Sequence, residues 1–91
     1  MNKERRKQLK EAVTLLSDAQ EKIQTASSIV ETCRDEEEEC YDNLPEGVQC
    51  SEKGEAMGEN ASQLGDVMSE LESIGDSVDE QVDLIQEVID K

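Results

Sequence analysis

Apolar residues recur every three or four positions along most of the chain, in two long runs. Counted at these spaced positions alone, the first run extends from Leu9 to Leu44 and includes one charged residue, Glu37. The second run extends from Met57 to Ile89 and includes no polar residue. This spacing places the apolar residues of each run on one stripe of a helix. The two runs therefore predict two heptad-patterned helices. The first run is Leu9, Ala12, Leu16, Ala19, Ile23, Ala26, Val30, Cys33, Glu37, Cys40 and Leu44, and the second is Met57, Ala61, Leu64, Met68, Leu71, Gly75, Val78, Val82, Ile85 and Ile89.

The segment between the two runs carries turn signals. Pro45 disfavours helix at the residue before it, and Gly47 is conformationally permissive. Ser51 is a suitable N-cap for the following helix. Because the connection is short, the two helices should fold back antiparallel as a coiled-coil hairpin. The predicted all-α domain covers residues 1–91, with helix one at about 3–43, a turn at 44–50 and helix two at about 51–90.

A register follows from pairing positions whose numbers sum to 94, which sets Ala19 against Gly75. In this register Cys33 and Cys40 are small core residues of the first helix. Glu37 lies on the same stripe, and we expect its carboxylate to reach solvent near the turn, because an unpaired charge in a dry core is costly. The sequence leaves open whether Cys40 forms a disulfide with Cys50.

A single hairpin buries only one stripe per helix, so part of its stability should come from a further contact. Apolar residues beside each stripe indicate where that contact lies. We expect a homodimer packed as a four-helix bundle, and the alternative is a third helix contributed by another protein. The flanking residues are Val13, Leu15 and Ile29 on the first helix and Val67, Ile74 and Val88 on the second, the last three forming the predicted oligomer interface.

The composition is strongly acidic and lacks histidine. The chain has 24 Asp and Glu against 9 Lys and Arg, a net charge of -15 and no His. Without imidazole the commonest general base and metal ligand are missing, and we expect a non-enzymatic protein with no cofactor or metal. The negative surface opposes phosphate, so the expected partner is a basic protein surface rather than nucleic acid. No export signal or membrane-spanning stretch is evident, which favours the cytoplasm and reduced thiols.

The charges are unevenly distributed. Residues 1–10 contain five cations and one acid, whereas residues 31–46 contain eight acids and one cation. We expect the basic N-terminus to be neutralised by acids near the end of the second helix, at Asp83, Glu87 and Asp90. The run of carboxylates at 35–39 is interpreted as a solvated surface, with low-affinity calcium binding as the alternative.

Carboxylates also recur along the second helix, mostly every three or four residues. Such recurrence places successive carboxylates about 5 Å apart along the helix axis, which is comparable to phosphate spacing along a nucleic-acid strand. A rigid acidic helix can therefore imitate nucleic acid to a basic protein. The alternative is that the stripe serves solubility alone. The predicted partner-binding residues are Glu59, Asp66, Glu70, Asp76, Glu80 and Asp83.

The turn and its surroundings contain Arg34-Asp35-Glu36-Glu37, the run from Tyr41 to Glu46, Gln49, and the run from Ser51 to Met57. These segments resemble a group of short uncharacterised proteins encoded by phages and mobile elements of Gram-positive bacteria. The resemblance implies a phage or prophage origin, and by association an inhibitor of a host defence or nucleic-acid-processing protein, of anti-CRISPR or anti-restriction type. The alternative function is a structural or assembly module, such as a phage accessory, scaffold or adaptor, that acts through its apolar stripe.

Overall fold

The computed structural model describes residues 1–91 as three helices without strands. They are α1 (Lys3–Asp42), α2 (Glu46–Gln49) and α3 (Glu52–Asp90). The two long helices pack antiparallel along their length, and the Cα atoms occupy a rod of 68 × 14 × 14 Å. The predicted all-helical architecture with two long packed helices is confirmed.

Side chains and turns satisfy the exposed backbone groups at the helix ends. Asn2 caps α1, and its Oδ1 accepts a hydrogen bond of 2.8 Å from the N–H of Arg5. Asn43 follows the last residue of α1, and its N–H donates to the Glu39 carbonyl at 3.0 Å. Ser51 caps α3, as predicted, because its Oγ accepts from a backbone N–H in the first turn. These caps replace hydrogen bonds that the helix ends cannot make internally.

The connection contains a short helix, α2, that the sequence did not predict. The carbonyl of Pro45 accepts hydrogen bonds from the N–H groups of Val48 at 2.8 Å and Gln49 at 3.0 Å. The side chain of Gln49 donates to the Tyr41 carbonyl at 3.0 Å, which ties α2 to the end of α1. Gly54 is buried against α2. The turn is therefore a packed element that joins both long helices.

The stripe predicted for the second helix is the face that α3 presents to α1. All ten of its residues, from Met57 to Ile89, are buried or half-buried. Gly75 and Ile89 are the most enclosed of them. This part of the prediction is confirmed, because every position of the stripe offers either an apolar side chain or a small one to the neighbouring helix.

The stripe predicted for the first helix is partly wrong. Ala26, Cys33 and Cys40 are exposed, so neither cysteine is a core residue. The residues that follow them, Ser27, Arg34 and Tyr41, are half-buried instead. The apolar stripe of α1 is thus rotated away from α3 by one heptad position, or about 50°. The predicted Ala12 and Ala19 are half-buried, as is Arg6. The other half-buried residues of α1 are Leu9, Val13, Leu16, Gln20, Ile23, Ser27, Val30, Arg34, Glu37 and Tyr41, and Leu44 beyond its end is half-buried as well.

This rotation makes the contact between the long helices polar in places. Gln20, rather than the predicted Ala19, lies against Gly75, and its Nε2 donates to Asp79 at 3.2 Å. Glu37 is half-buried and accepts a hydrogen bond of 3.3 Å from the Asn60 side chain, instead of extending freely into solvent as expected. A polar group that is half removed from water needs such a partner.

Very little of the molecule is buried. Gly54, Gly75 and Ile89 are the only buried residues, and Ile89 is the only apolar side chain among them. Two helices enclose a single layer of side chains, so most of those side chains keep one side in contact with water. None of the helices combines the length and the apolar character that crossing a membrane requires.

Candidate functional site

The six carboxylates predicted to bind a partner all lie exposed on α3. We call them the acidic face: Glu59, Asp66, Glu70, Asp76, Glu80 and Asp83. Glu59, Asp66 and Glu80 occupy the heptad position opposite the contact with α1, and the other three lie to either side of that line. Glu59 and Asp83 are 24 positions apart, which corresponds to about 36 Å along the helix.

No cation of the chain neutralises the acidic face. The one ion pair in the molecule joins Arg34 to the adjacent Asp35, at 2.9 Å. The hydrogen bond between these two side chains raises the pKa of Arg34 above its usual value, despite the opposing effect of desolvation. None of the six carboxylates of the acidic face accepts a hydrogen bond from another side chain. The acidic face is therefore free to contact an external cation.

The basic N-terminus is also without an ion pair, contrary to the expectation that Asp83, Glu87 and Asp90 would neutralise it. The two ends are joined by a hydrogen bond of 3.5 Å from Arg6 to the backbone carbonyl of Lys91. The Nε of Arg6 is buried without a partner.

The carboxylates at the turn end do not converge on a common point. No three Cys, Asp or Glu side chains come together in a geometry that could hold a metal ion. Successive carboxylates on a helix point outward in different directions, so a run such as 35–39 is spread around the axis. All three cysteines are unpaired thiols, including Cys40 and Cys50, whose pairing the sequence left open.

The long helices have a second exposed feature, an apolar face. Leu15 is 63% exposed and Ile29 61%, and on α3 the corresponding values are 48% for Ile74 and 53% for Leu84. The sequence indicated most of this face but missed Leu84. The face consists of Leu15, Ile29, Val67, Ile74, Leu84 and Val88, with the small residues Ala12, Ala19, Ala26 and Cys33 between them.

The residues of the apolar face lie on one side of the hairpin. In an antiparallel pair the same flank of each helix faces the same side, and all six large residues belong to that flank by their heptad positions. Leu16, Ile74 and Val78 line a common depression on this side, together with the polar residues Glu70, Ser73, Ser77 and Gln81. The opposite side carries a shallow groove lined mainly by polar and charged side chains, including Gln24, Ser28 and Glu72. One side of the rod thus carries the large exposed apolar residues, and the other is polar.

The geometry defines a class of protein, an elongated all-α hairpin with an unneutralised acidic face on α3 and a separate apolar face shared by α1 and α3. Comparison with protein-family models, with curated proteins and with solved structures finds no match.

Proposed function

We propose that this protein is a non-enzymatic, acidic protein-binding module whose acidic face contacts a basic surface on another protein. The observation that carries the proposal is the set of six exposed carboxylates without any cation partner, held over about 36 Å on one helix. Because a long helix is stiff, these charges are displayed at nearly fixed spacing, and little entropy is lost when a partner binds them.

The basic surface that fits such a face is one that normally binds nucleic acid. A nucleic-acid-binding protein presents Lys and Arg in a row to successive phosphates. The carboxylates of the acidic face, spaced about 7 Å apart on average along the helix axis, would occupy the same cations and block access of nucleic acid. The resemblance of residues 34–57 to phage-encoded proteins favours an inhibitor of a host defence or nucleic-acid-processing enzyme, of anti-CRISPR or anti-restriction type, acting in the bacterial cytoplasm.

The test compares two variants that lose the same amount of charge. The first replaces Glu59, Asp66, Glu80 and Asp83 by the corresponding amides, and the matched control does the same at acidic positions of α1. Partners are captured from host lysate at 0.15 M salt, and the purified partner is then titrated with labelled DNA in the presence of each variant. The control positions are Glu11, Asp18, Glu21 and Glu31.

Four exposed charge contacts at about 0.2–1 kcal/mol each correspond to a loss of roughly 4- to 700-fold in affinity. We expect this loss in the acidic-face variant and a much smaller one in the control. Equal effects of the two variants would show that only net charge matters, and undiminished inhibition by the first variant would exclude the acidic face.

A structural or assembly role through the apolar face is the second candidate. The observation that favours it is the exposure of Val67, Ile74 and Val88, which we propose to form the interface of a homodimer. Contacts of this kind persist at 1 M salt, where charge contacts are screened beyond about 3 Å. Capture of a partner that survives 1 M salt and is lost on Ile74→Lys, but not on Glu80→Gln, would favour this role.

A further inference from the structure

We infer that the apolar face binds a second copy of the chain head to tail, with the turn end of one hairpin beside the open end of the other and α1 packed against the partner's α1. This inference deepens the homodimer proposed above by assigning its orientation and its central helix. It does not depend on the identity of any other partner.

The orientation of α1 within the hairpin provides the first argument. The most apolar stripe of α1 is turned by about 50° from α3 toward the apolar face. Polar side chains such as Gln20, Ser27 and Arg34 contact α3 instead, while Ala26 and Cys33 remain exposed. A helix in a bundle turns its apolar stripe toward the centre of all its neighbours, and not toward one of them. The stripe therefore indicates a neighbour on the open side.

The exposed area is consistent with such a neighbour. A folded monomer of 10.1 kDa is expected to expose roughly 5,300 Å², whereas this chain exposes 6782 Å². The excess of about 1,500 Å² per chain exceeds the roughly 800 Å² that each partner contributes to a standard interface. Two hairpins stacked through their apolar faces would form a second layer and enclose the residues that the single hairpin leaves in water.

The residue pattern of α1 favours pairing with itself. Suppose that the α1 of a second copy packs antiparallel on α1, with the two helices crossing at the point between Lys22 and Ile23. Each residue then lies beside the residue of the second copy whose number adds to its own to give 45. The apolar face of α1 then meets residues of matching size, small against small and large against large, as close helix packing requires. The matched pairs are Ala12 with Cys33, Leu15 with Val30, Leu16 with Ile29, and Ala19 with Ala26.

The charges of α1 complement one another in the same arrangement. Residues 3–10 carry five cations and one acid, and they lie beside residues 35–42 of the second copy, which carry six acids and no cation. This attraction occurs twice in a two-fold dimer. Within the hairpin itself residues 3–10 have no ion pair, and residues 35–42 have only the pair between Asp35 and the adjacent Arg34. Arg5 is the cation closest to the apolar face, where Glu36 and Glu39 of the second copy are within reach of its long side chain.

The opposite orientation brings acidic segments together at the turn ends. If the two turn ends lay together, α1 would pack on the second copy's α3, and residues 35–42 would lie beside its residues 54–61. That segment contains Glu55 and Glu59 and no cation, so acids would face acids at the turn ends. Like charges in contact oppose association at the turn ends, although the basic segment would lie beside Glu87 and Asp90 at the end of α3.

The head-to-tail dimer has a consequence for the proposed binding function. Each α3 packs on the other α3, so the two acidic faces lie along the same edge of the bundle and run in opposite directions. Helices in contact are about 8–10 Å apart. A dimer of this kind presents two antiparallel rows of carboxylates to one partner, whereas the opposite orientation places them on different edges.

Disulfide trapping distinguishes the two orientations. Ala12→Cys, in a chain with Cys40→Ser and Cys50→Ser, should form a disulfide-linked dimer with the second copy's Cys33 under mild oxidation. Within one chain these two positions are 21 residues apart on α1, or about 31 Å, far beyond the 7 Å limit for a disulfide. The matched control is Gln63→Cys in the same background, which would link to Cys33 only with the turn ends together.

We expect a covalent dimer from Ala12→Cys that is lost when Cys33→Ser is added, and no covalent dimer from Gln63→Cys. Linkage of Gln63→Cys alone, or of neither chain, would overturn the inference, provided that circular dichroism shows both chains to be helical.

Independently, sedimentation equilibrium should give about twice 10.1 kDa for the unmodified chain. Leu15→Lys with Ile29→Lys should weaken that dimer at least 30-fold, a loss of about 2 kcal/mol or more, and Gln24→Lys with Ser28→Lys, on the polar side, should leave it unchanged. An unmodified chain that sediments as a monomer at 100 µM would also refute the inference.

Discussion

The packing of α2 against the first turn of α3 leads to opposite predictions for two glycines of the same helix. A Cβ added to Gly54 would lie 2.7 Å from the Cα of Gln49 and would also collide with the Val48 carbonyl oxygen. A Cβ added to Gly65 would meet only the Cδ of Arg34, at 3.8 Å. The first contact involves backbone atoms, which cannot move independently, and the second is an ordinary van der Waals contact with a flexible side chain.

The magnitudes follow from these distances. Replacing a glycine within a helix by alanine contributes about 0.8–1.0 kcal/mol through helix propensity, so Gly65→Ala should stabilise the protein by about that amount. At Gly54 the same gain is opposed by an overpacking cost of typically 1–3 kcal/mol. Separation of α2 from α3 would also strain the Ser51 cap, which is worth about 1 kcal/mol. Gly54→Ala should therefore destabilise the protein by about 1–2 kcal/mol.

Urea denaturation followed by circular dichroism at 222 nm measures both changes. Protein concentration must be held fixed, because self-association makes the apparent stability depend on it. For a chain of this size 1 kcal/mol corresponds to about 4–8 °C in Tm. Gly58→Ala serves as a second control, since its nearest neighbour would be the Tyr41 ring at 3.6 Å. If Gly54→Ala stabilised the chain as much as Gly65→Ala, α2 would leave α3 at no cost, and the account of the turn would be wrong.

Two further predictions concern the polar contact between the long helices and the net charge. Gln20→Leu should stabilise the hairpin by about 1 kcal/mol in the same urea assay, because the Oε1 of Gln20 is buried without a partner. The substitution also removes the hydrogen bond from Gln20 to Asp79, and destabilisation would show that this bond dominates. Raising the salt concentration from 0.01 M to 0.15 M should raise Tm by several degrees, because it shortens the Debye length from about 30 Å to about 8 Å in a chain of net charge -15. A variant with Asp66→Asn, Glu70→Gln and Asp76→Asn should show a smaller rise, and an equal rise would assign the repulsion to other carboxylates.

Periodicity predicted the α3 contact correctly because its stripe has no competing apolar stripe of equal strength. From Met57 to Ile89 every position of the stripe is apolar or glycine, and each one is buried or half-buried against α1. The cap at Ser51 and the end of α1 beside Asn43 were also predictable, since both depend on local chemistry.

The α1 contact was not predictable in the same way. Its residues offer two adjacent stripes, one through Ala26 and Cys33 and one through Ser27 and Arg34, and the more apolar of the two is not the one that meets α3. A count of apolar residues assumes that a helix has a single neighbour. Where a second neighbour is available, the helix rotates to a position between the two, and polar residues then enter one contact while apolar residues remain for the other.

The sequence by itself determined the two long helices, their caps, the acidic character of α3 and the face that α3 turns to α1, because each depends on residues close together in the chain. The tertiary structure decided the rotation of α1, the packing of α2 on Gly54 and the hydrogen-bond partner of Glu37. It also decided that Leu15, Ile29, Ile74 and Leu84 lie on one side of the rod. These features depend on how two distant segments meet, and a slip or rotation of one helix by a single position costs little in local energy while it changes every contact between them.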